Sequence, residues 1–180
     1  MSRKGKLPIP LNDKVSIDFT EQCLTVKGAK HELSLEIRSD FSVVNEDGQL
    51  LVLNNSKKRD ANAMYGLYRS LIANMVVGVT DGFSKRIELF GVGYRAQMKG
   101  SDLELNVGYS HPVIITPLEN ITFAVEGQTT IVVSGPDKCD VGDQVAKLIK
   151  VRDARKDPYK NKGVRLEGAR LRKKSGKKVA

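Results

Sequence analysis

One segment of the sequence has the residue types of a cofactor-binding loop. Residues 91–96 read GVGYRA, which is one form of the GxGxxA fingerprint that holds the pyrophosphate of a dinucleotide. The fingerprint requires a helix directly after its glycines, because the helix N-terminus binds the phosphates. Here residues 97–102 are turn-like, and the apolar residues beyond them alternate. The sequence therefore predicts a glycine-permitted bend or bulge in a strand.

The other candidates for catalysis or metal binding are isolated side chains. His31 and His111 are the only histidines, and neither has a cluster of Cys, His or carboxylate at ligand spacing. Asp137, Lys138 and Asp140 fall where a helix begins, and such charges usually cap and solvate its first turn. The sequence contains no GxSxG elbow and no GxxxxGK[ST] loop. We therefore predict no enzyme activity, no catalytic residue, no metal site and no cofactor.

The strongest chemical signal is the charge of the C-terminal end. Residues 152–180 contain 12 Lys+Arg and 3 Asp+Glu, an excess of nine, and the whole chain, with 30 and 21, has the same excess. The first 151 residues are therefore neutral. Gly163 lies among the cations, and its missing side chain permits close approach of a phosphate. A neutral body with a cationic end predicts a polyanion ligand, nucleic acid first and an anionic membrane second.

The same segment predicts where the folded body ends. All the periodic apolar segments lie before residue 152, and Pro158 biases Asp157 away from helical geometry. We expect a solvated arm that becomes ordered on RNA. On this interpretation, removal of residues 157–180 leaves the fold of the body intact.

Composition limits the remaining classes. A chain of 180 residues, 40% of them hydrophobic, forms one domain or two small ones with real cores. Aromatic residues are only 6%, which argues against stacking on unpaired bases as the main binding mode. No apolar run reaches the roughly 18 residues of a membrane span, and no secretory signal is expected. Cys23 and Cys139 favour reduced thiols, although a disulfide stays open.

The apolar periodicity repeats one plan in the two halves of the chain. In the first half it predicts strands near residues 15–19, 24–26, 33–37, 43–44 and 50–53, then a helix from about Arg59 to Val77. Asn55 or Ser56 is predicted to cap this helix and Gly78 to end it. In the second half the strands are predicted near residues 87–89, 103–107, 113–115, 121–125 and 131–133, with a helix from about Lys138 to Val151.

The two halves align at a nearly constant offset, which indicates an internal duplication. His111 lies 80 residues after His31, and Ile131 lies 80 residues after Leu51. The predicted fold class is α+β, with two tandem copies of a small antiparallel sheet and one helix packed on one face of each. The predicted domains are residues 1–81, with a short basic N-terminal arm, residues 82–152, and a basic RNA-binding extension at 153–180.

Several segments in the right order resemble the bacterial-type large-subunit ribosomal protein L6 family over almost the full length. They are residues 1–6 with 8–10, 66–79, 82–83, 91–96, 110–112, 157–160 and 162–165. The sequence departs from the family at Asn161, where Gly is usual, and at Leu166, where an aromatic residue is usual.

The resemblance implies a non-catalytic constituent of the large ribosomal subunit with two tandem copies of one α+β fold. It implies binding to large-subunit ribosomal RNA near the sarcin-ricin region and the stalk base, beside neighbouring ribosomal proteins and close to where translational GTPases dock. It also implies a cytoplasmic location in the ribosome, with an organellar ribosome as the alternative, and no membrane partner.

We predict RNA contacts from the cationic end. The residues are Tyr159, Lys160, Lys162, Gly163, Arg165, Arg170, Arg172, Lys173, Lys174 and Lys177. Secondary contacts are predicted at Arg3, Lys4, Lys6 and Arg95. Two other hypotheses stay open at this point: a stand-alone RNA- or DNA-binding module outside the ribosome, and an enzyme that uses residues 91–96.

Overall fold

The chain divides into two compact units. The computed structural model describes residues 3, 5–12, 15–20, 22–46, 48–56, 58–174 and 176. Unit 1 covers Met1–Gly82 with Pro136–Lys138, and unit 2 covers Phe83–Gly135 with Cys139–Ala180. Small antiparallel sheets and one α-helix recur in each half, which confirms the predicted α+β class.

Unit 1 contains six described strands and one helix. They are β1 (Ile9–Pro10), β2 (Ser16–Thr20), β3 (Cys23–Lys27), β4 (Glu32–Glu36), β5 (Phe41–Glu46), β6 (Gln49–Asn54) and α1 (Arg59–Thr80). The strands form two antiparallel sheets, with orders β1-β6-β5 and β2-β3-β4. Alternate residues of the central strands, such as Leu24 and Val52, are buried with Ile72 of α1 in one core. Period-two burial on the strands and one buried stripe on the helix produce this arrangement.

Unit 2 repeats the same order and adds a strand. Its elements are β7 (Phe83–Phe90), β8 (Arg95–Lys99), β9 (Asp102–Asn106), β10 (Val113–Ile115), β11 (Thr122–Glu126), β12 (Thr130–Gly135), α2 (Lys138–Val151), a 3-10 helix (Ala154–Lys156) and β13 (Gly163–Leu166). The sheets have orders β10-β9-β8 and β11-β12-β7-β13. The core joins Ile87, Leu105 and Ile131 of the sheets to Val145 and Leu148 of α2.

Comparison of the units supports the duplication and corrects its details. The sheet β2-β3-β4 corresponds to β8-β9-β10, and β1-β6-β5 corresponds to β7-β12-β11, so each unit has two sheets where the pattern predicted one. In the described part of unit 1 no strand corresponds to β13.

The offset between the halves is not 80 throughout. Leu50 is buried and Leu51 is not, so Ile131 corresponds to Leu50, 81 residues earlier. The cause is the hairpin turn: Glu46 pairs with Gln49 in unit 1, whereas Glu126 pairs with Thr130 in unit 2, which makes the second turn one residue longer. Because side chains alternate across a strand, this single residue exchanges the buried and exposed faces in the predicted alignment.

The ends of α1 differ from the prediction. Gly78 lies inside the helix, which continues to Thr80, and the N-cap is Lys58 rather than Asn55 or Ser56. Val79 is buried, and a side chain at Gly28 would collide with it. Burial of this last turn outweighs the cost of about 1 kcal/mol for glycine in a helix.

The glycine-rich segment forms a tight turn at residues 91–94, between β7 and β8. The backbone N–H of Tyr94 donates to Gly91 O at 3.2 Å, and Gly93 has a φ of +77°. β8 begins at Arg95, a strand that the sequence pattern did not predict. The predicted bend is confirmed, and the helix that a dinucleotide fingerprint requires is replaced by a strand.

Substitution of Gly93 tests this interpretation of the turn. A Cβ on Gly93 would have nothing within 4 Å, so the cost of a side chain there is conformational. We expect Gly93→Val to lower the free energy of unfolding by about 1–3 kcal/mol, since a β-branched residue rarely adopts positive φ. Gly93→Asn is the control and should lose less, because Asn enters this region more readily. Urea unfolding measures both, and an unchanged midpoint for Gly93→Val would contradict the assignment.

Candidate nucleic-acid interface

The cationic C-terminal segment is part of the fold of unit 2. β13 pairs antiparallel with β7 from Gly163 opposite Phe90 to Leu166 opposite Ile87, and Val164 is completely buried. The prediction of an arm separable from the body is therefore wrong. A strand of four residues in a run of charges has too few apolar positions for its alternation to be recognised. Removal of residues 157–180 would strip the edge of the sheet and expose its core.

Gly163 serves the backbone of the protein itself rather than a phosphate. A Cβ at this position would lie 2.5 Å from both Arg152 O and Ala154 N. The next residue, Val164, donates its N–H to Arg152 O at 2.7 Å. The expectation that Gly163 admits a phosphate is thus corrected: its missing side chain lets β13 pass directly against the chain that leaves α2.

Arg152 fixes the end of α2. Its Nη1 donates to Val107 O at 2.9 Å and to Gly108 O at 3.1 Å. Its guanidinium lies 5.3 Å from the ring centroid of Tyr109 and 5.6 Å from that of Tyr94, within cation–π range. The Tyr109 hydroxyl donates to Val151 O at 2.7 Å. This cation is therefore engaged within the protein.

The carboxylate of Asp157 organises the loop that leads into β13. Its Oδ1 accepts N–H groups from Tyr159 and Lys160, both at 3.1 Å, and its Oδ2 accepts that of Lys162 at 3.3 Å. These bonds, that from Lys160 above all, hold the pKa of Asp157 below its usual value against an opposing effect of desolvation. Asn161 has a φ of +52°, so asparagine takes the left-handed geometry that glycine would supply. The loop presents Tyr159 and Lys160 to solvent.

The chain after β13 returns beside this loop. Ala169 N–H donates to Leu166 O at 3.1 Å across a turn at Gly168, whose φ is +70°. Farther along, Lys174 N–H donates to Pro158 O at 2.8 Å. The backbone of the terminal basic run is thereby held against the Asp157 loop, which brings two separate parts of the cationic sequence into one region.

The predicted RNA-binding residues divide by their partners. Within the part of the chain that the structure describes, six of them have no carboxylate in ion-pair range, and we name this set the cationic face: Lys160, Lys162, Arg170, Arg172, Lys173 and Lys174. Arg165 instead pairs with Glu88 at 2.9 Å and lies 4.9 Å over the ring of Phe90. Arg3, Lys6 and Arg95 are exposed in the body of the protein. Lys4 and Lys177 lie outside the described residues.

Two basic residues that the sequence analysis did not select also lie beside this region. Arg155 pairs with Asp153 at 2.8 Å, and this bond is the first cause of the lowered pKa of Asp153. Lys156 is exposed in the 3-10 helix. Both residues belong to the cationic C-terminal segment, and this position in the sequence could have identified them as candidate RNA contacts.

A metal site and a membrane-spanning helix are two other features that the described residues could contain. They contain no group of three His, Cys, Asp or Glu side chains placed to hold a metal ion. Among the same residues, no helix is at once long enough and apolar enough to cross a membrane. The fold and the site thus define a duplicated α+β protein with a cationic face suited to a polyanion.

Comparison with known proteins gives the family. The family model described as ribosomal protein L6 matches residues 9–82 and 90–167, one range in each half, and the second range includes β13. Large ribosomal subunit protein uL6 of Halothermothrix orenii is 50% identical over 179 residues, which are 98% of this chain and 99% of the relative. The proteins of the same name from Synechococcus sp. (strain CC9311) and Rubrobacter xylanophilus are each 47% identical over 177 residues, covering 98% of this chain and 98% and 99% of the relatives. The chain belongs to the ribosomal protein L6 family, which confirms the resemblance seen in the sequence.

A side chain at residue 163 should dislodge β13. We expect Gly163→Ala to lower the free energy of unfolding by about 1–3 kcal/mol, because its Cβ meets fixed backbone atoms rather than a flexible side chain. Gly176→Ala is the matched control, since a Cβ there meets nothing within 4 Å. Denaturant unfolding and amide exchange at residues 163–166 measure the effect. Equal stability of the two variants would show that β13 can pass Arg152 and Ala154 without the close approach.

The Asp157 loop should be sensitive to acid. Because the pKa of Asp157 is lower in the folded protein than in the unfolded chain, where it is about 3.9, its contribution to stability is complete above about 3.9. That contribution is lost as the pH falls through the lower folded pKa. NMR titration should show the amides of Tyr159, Lys160 and Lys162 shifting together below the ordinary aspartate range. Asp157→Asn should abolish the transition, and a midpoint at or above 3.9 would refute the assignment.

Proposed function

We propose that this protein is a structural constituent of the large ribosomal subunit and binds large-subunit ribosomal RNA through the cationic face of unit 2. The observation that carries the proposal is a set of six cations, none with an ion-pair partner among the described residues, in the loop before β13 and in the chain after it. Relatives 47–50% identical over nearly the whole chain are named as proteins of this subunit. The function requires no catalysis.

The chemistry of binding is neutralisation of phosphates. Each Lys or Arg that meets a phosphate releases condensed counterions, so affinity falls as salt rises. Such contacts orient a protein on RNA and carry little sequence information. Tyr159, which is 55% exposed at the edge of the face, supplies a ring and a hydroxyl for packing or hydrogen bonding.

β13 and the Asp157 loop hold the backbone beside the cationic face in a defined position. β13 is hydrogen-bonded to β7, and the Asp157 carboxylate fixes the loop that carries Lys160 and Lys162. Arg165 is engaged with Glu88, so we assign it to the support of the face. Part of the conformational entropy that RNA binding would otherwise cost is therefore already lost in the free protein.

The finer location follows the family resemblance. We propose that the face meets ribosomal RNA near the sarcin-ricin region and the stalk base, among neighbouring ribosomal proteins and close to the docking site of translational GTPases. Arg3, Lys4, Lys6, Arg95 and Lys177 are proposed as additional contacts. The bacterial relatives support a cytoplasmic ribosome. Co-sedimentation with large subunits at high salt tests this proposal against a stand-alone RNA-binding module, which would remain in the supernatant.

The salt dependence of RNA binding measures the cationic face directly. We expect the triple substitution of Arg170, Arg172 and Lys173 by Ser to reduce the slope of log affinity against log salt for a large-subunit RNA fragment. The loss is about 0.7–0.9 per phosphate contact, or roughly 2–3 for three contacts. The variant keeps β13 and changes only exposed side chains.

The control removes the same charge elsewhere. Lys30, Lys58 and Lys99 lie outside the cationic face, and their replacement by Ser lowers the net charge equally. The control slope should stay close to that of the unchanged protein. Equal slopes for the two triple variants would show that net charge alone, and no particular face, attracts the RNA.

A further inference from the structure

Unit 2 contains a cleft of about 310 Å³ beside β13. Its apolar lining comes from Ile149 of α2, Val164 and Leu166 of β13, and Leu171 beyond it. This volume is at the lower end of the range for small-molecule sites, which suits one small planar group. The cleft borders the cationic face, because Arg170 belongs to both.

Three arginine residues, Arg155, Arg165 and Arg170, also line the cleft. Arg155 is held by Asp153, with Nε 2.9 Å and Nη2 2.8 Å from Oδ2. Arg165 is held by Glu88, with Nε at 3.0 Å and Nη2 at 2.9 Å. A guanidinium fixed at two nitrogens keeps its plane, and such a plane is a stacking surface for a base. Arg165 already lies over the ring of Phe90, on the face of β13 opposite to Val164 and Leu166, so we assign the stacking surface in the cleft to Arg155.

The third guanidinium supplies the net charge. Arg170 is exposed and has no carboxylate in ion-pair range among the residues described. The two carboxylates balance the first two arginines, so the cleft and its immediate partners carry an excess of one positive charge. An apolar lining, a fixed planar cation and one uncompensated charge match the parts of a nucleotide: a base and a phosphate.

We propose that this cleft receives one unpaired nucleotide of ribosomal RNA, with its base against the apolar lining and its phosphate at Arg170. The inference rests on the proposed function and deepens it, since the face alone would bind phosphates without selecting an unpaired position. Base contacts of this kind are how proteins distinguish looped or bulged RNA from a regular duplex. An acidic peptide is the rival occupant, but it has no use for flat stacking surfaces.

Filling the cleft without a change of charge tests the proposal. Ala169 lines the cleft, and Ala169→Phe should occupy the space of the base. We expect this variant to bind a large-subunit RNA fragment about 5- to 150-fold more weakly, the loss that accompanies removal of one stacked base. The salt slope should fall by no more than one phosphate contact, about 0.7–0.9, because only the contact at Arg170 depends on the bound nucleotide. Ala124→Phe is the matched control on an exposed position of β11 and should bind normally.

A second variant and a crosslinking experiment complete the test. Leu171→Ser removes part of the lining instead of filling the space, so it serves if Ala169→Phe lowers the melting temperature. Crosslinking with 4-thiouridine-substituted RNA should join an unpaired nucleotide to residues 166–171, and Ala169→Phe should abolish that product. Normal affinity for both variants, with the slope still reduced by the Arg170, Arg172 and Lys173 substitutions, would overturn the nucleotide site and leave the proposed function standing. Normal RNA affinity with defective subunit assembly would indicate a protein occupant and would also overturn it.

Discussion

The pairing of β13 with β7 is the contact on which the rest of unit 2's surface depends. Four residues add to the edge of an existing sheet, and Gly163 lets them pass so near the backbone of Arg152 and Ala154 that a Cβ there would lie 2.5 Å from Arg152 O and Ala154 N. Main-chain hydrogen bonds to β7 fix the direction of β13, and burial of Val164 contributes hydrophobic stabilisation. Once the strand is fixed, the loop before it and the chain after it have defined positions.

The charges of the C-terminal segment serve two different purposes. Arg152, Arg155 and Arg165 are engaged by carbonyls, aromatic rings or carboxylates within the protein. The residues of the cationic face have no ion-pair partner in the described structure, and all of them are exposed except Lys162, which is half-buried. Arginines suit the first purpose because a planar fork bonds several acceptors at once. The contacts of these three arginines within the protein therefore stabilise the structure beside the cationic face. The cations of the face itself stay available to a polyanion.

The two units differ at the edge where β13 pairs. Both units have the same two three-stranded arrangements and one helix, but β7 in unit 2 is eight residues long where β1 in unit 1 has two. The long strand extends far enough along the sheet for β13 to pair with its outer edge. β13 becomes the last strand of the sheet, and its outer side is bridged by Asp153 opposite Val164. Unit 2 thus has one strand more than the described part of unit 1, and this strand positions the charges that follow it.

The amino-acid sequence by itself determined the fold class, most strands, both helices, the repeat and the position of the positive charge. Each of these follows from a local signal: alternation for Leu24 and Val26, helical spacing for Val141 and Val145, and composition for the charged end. Only the tertiary structure decided that the charged end is part of the sheet, that Gly163 accommodates backbone, and that Arg165 is paired with Glu88. It also decided the register of the repeat, because one extra turn residue exchanges the two faces of β12. The physical reason is the same throughout: a pattern records which faces are apolar, whereas the partner of a short strand or a charged side chain lies far away in sequence, 77 residues for Arg165.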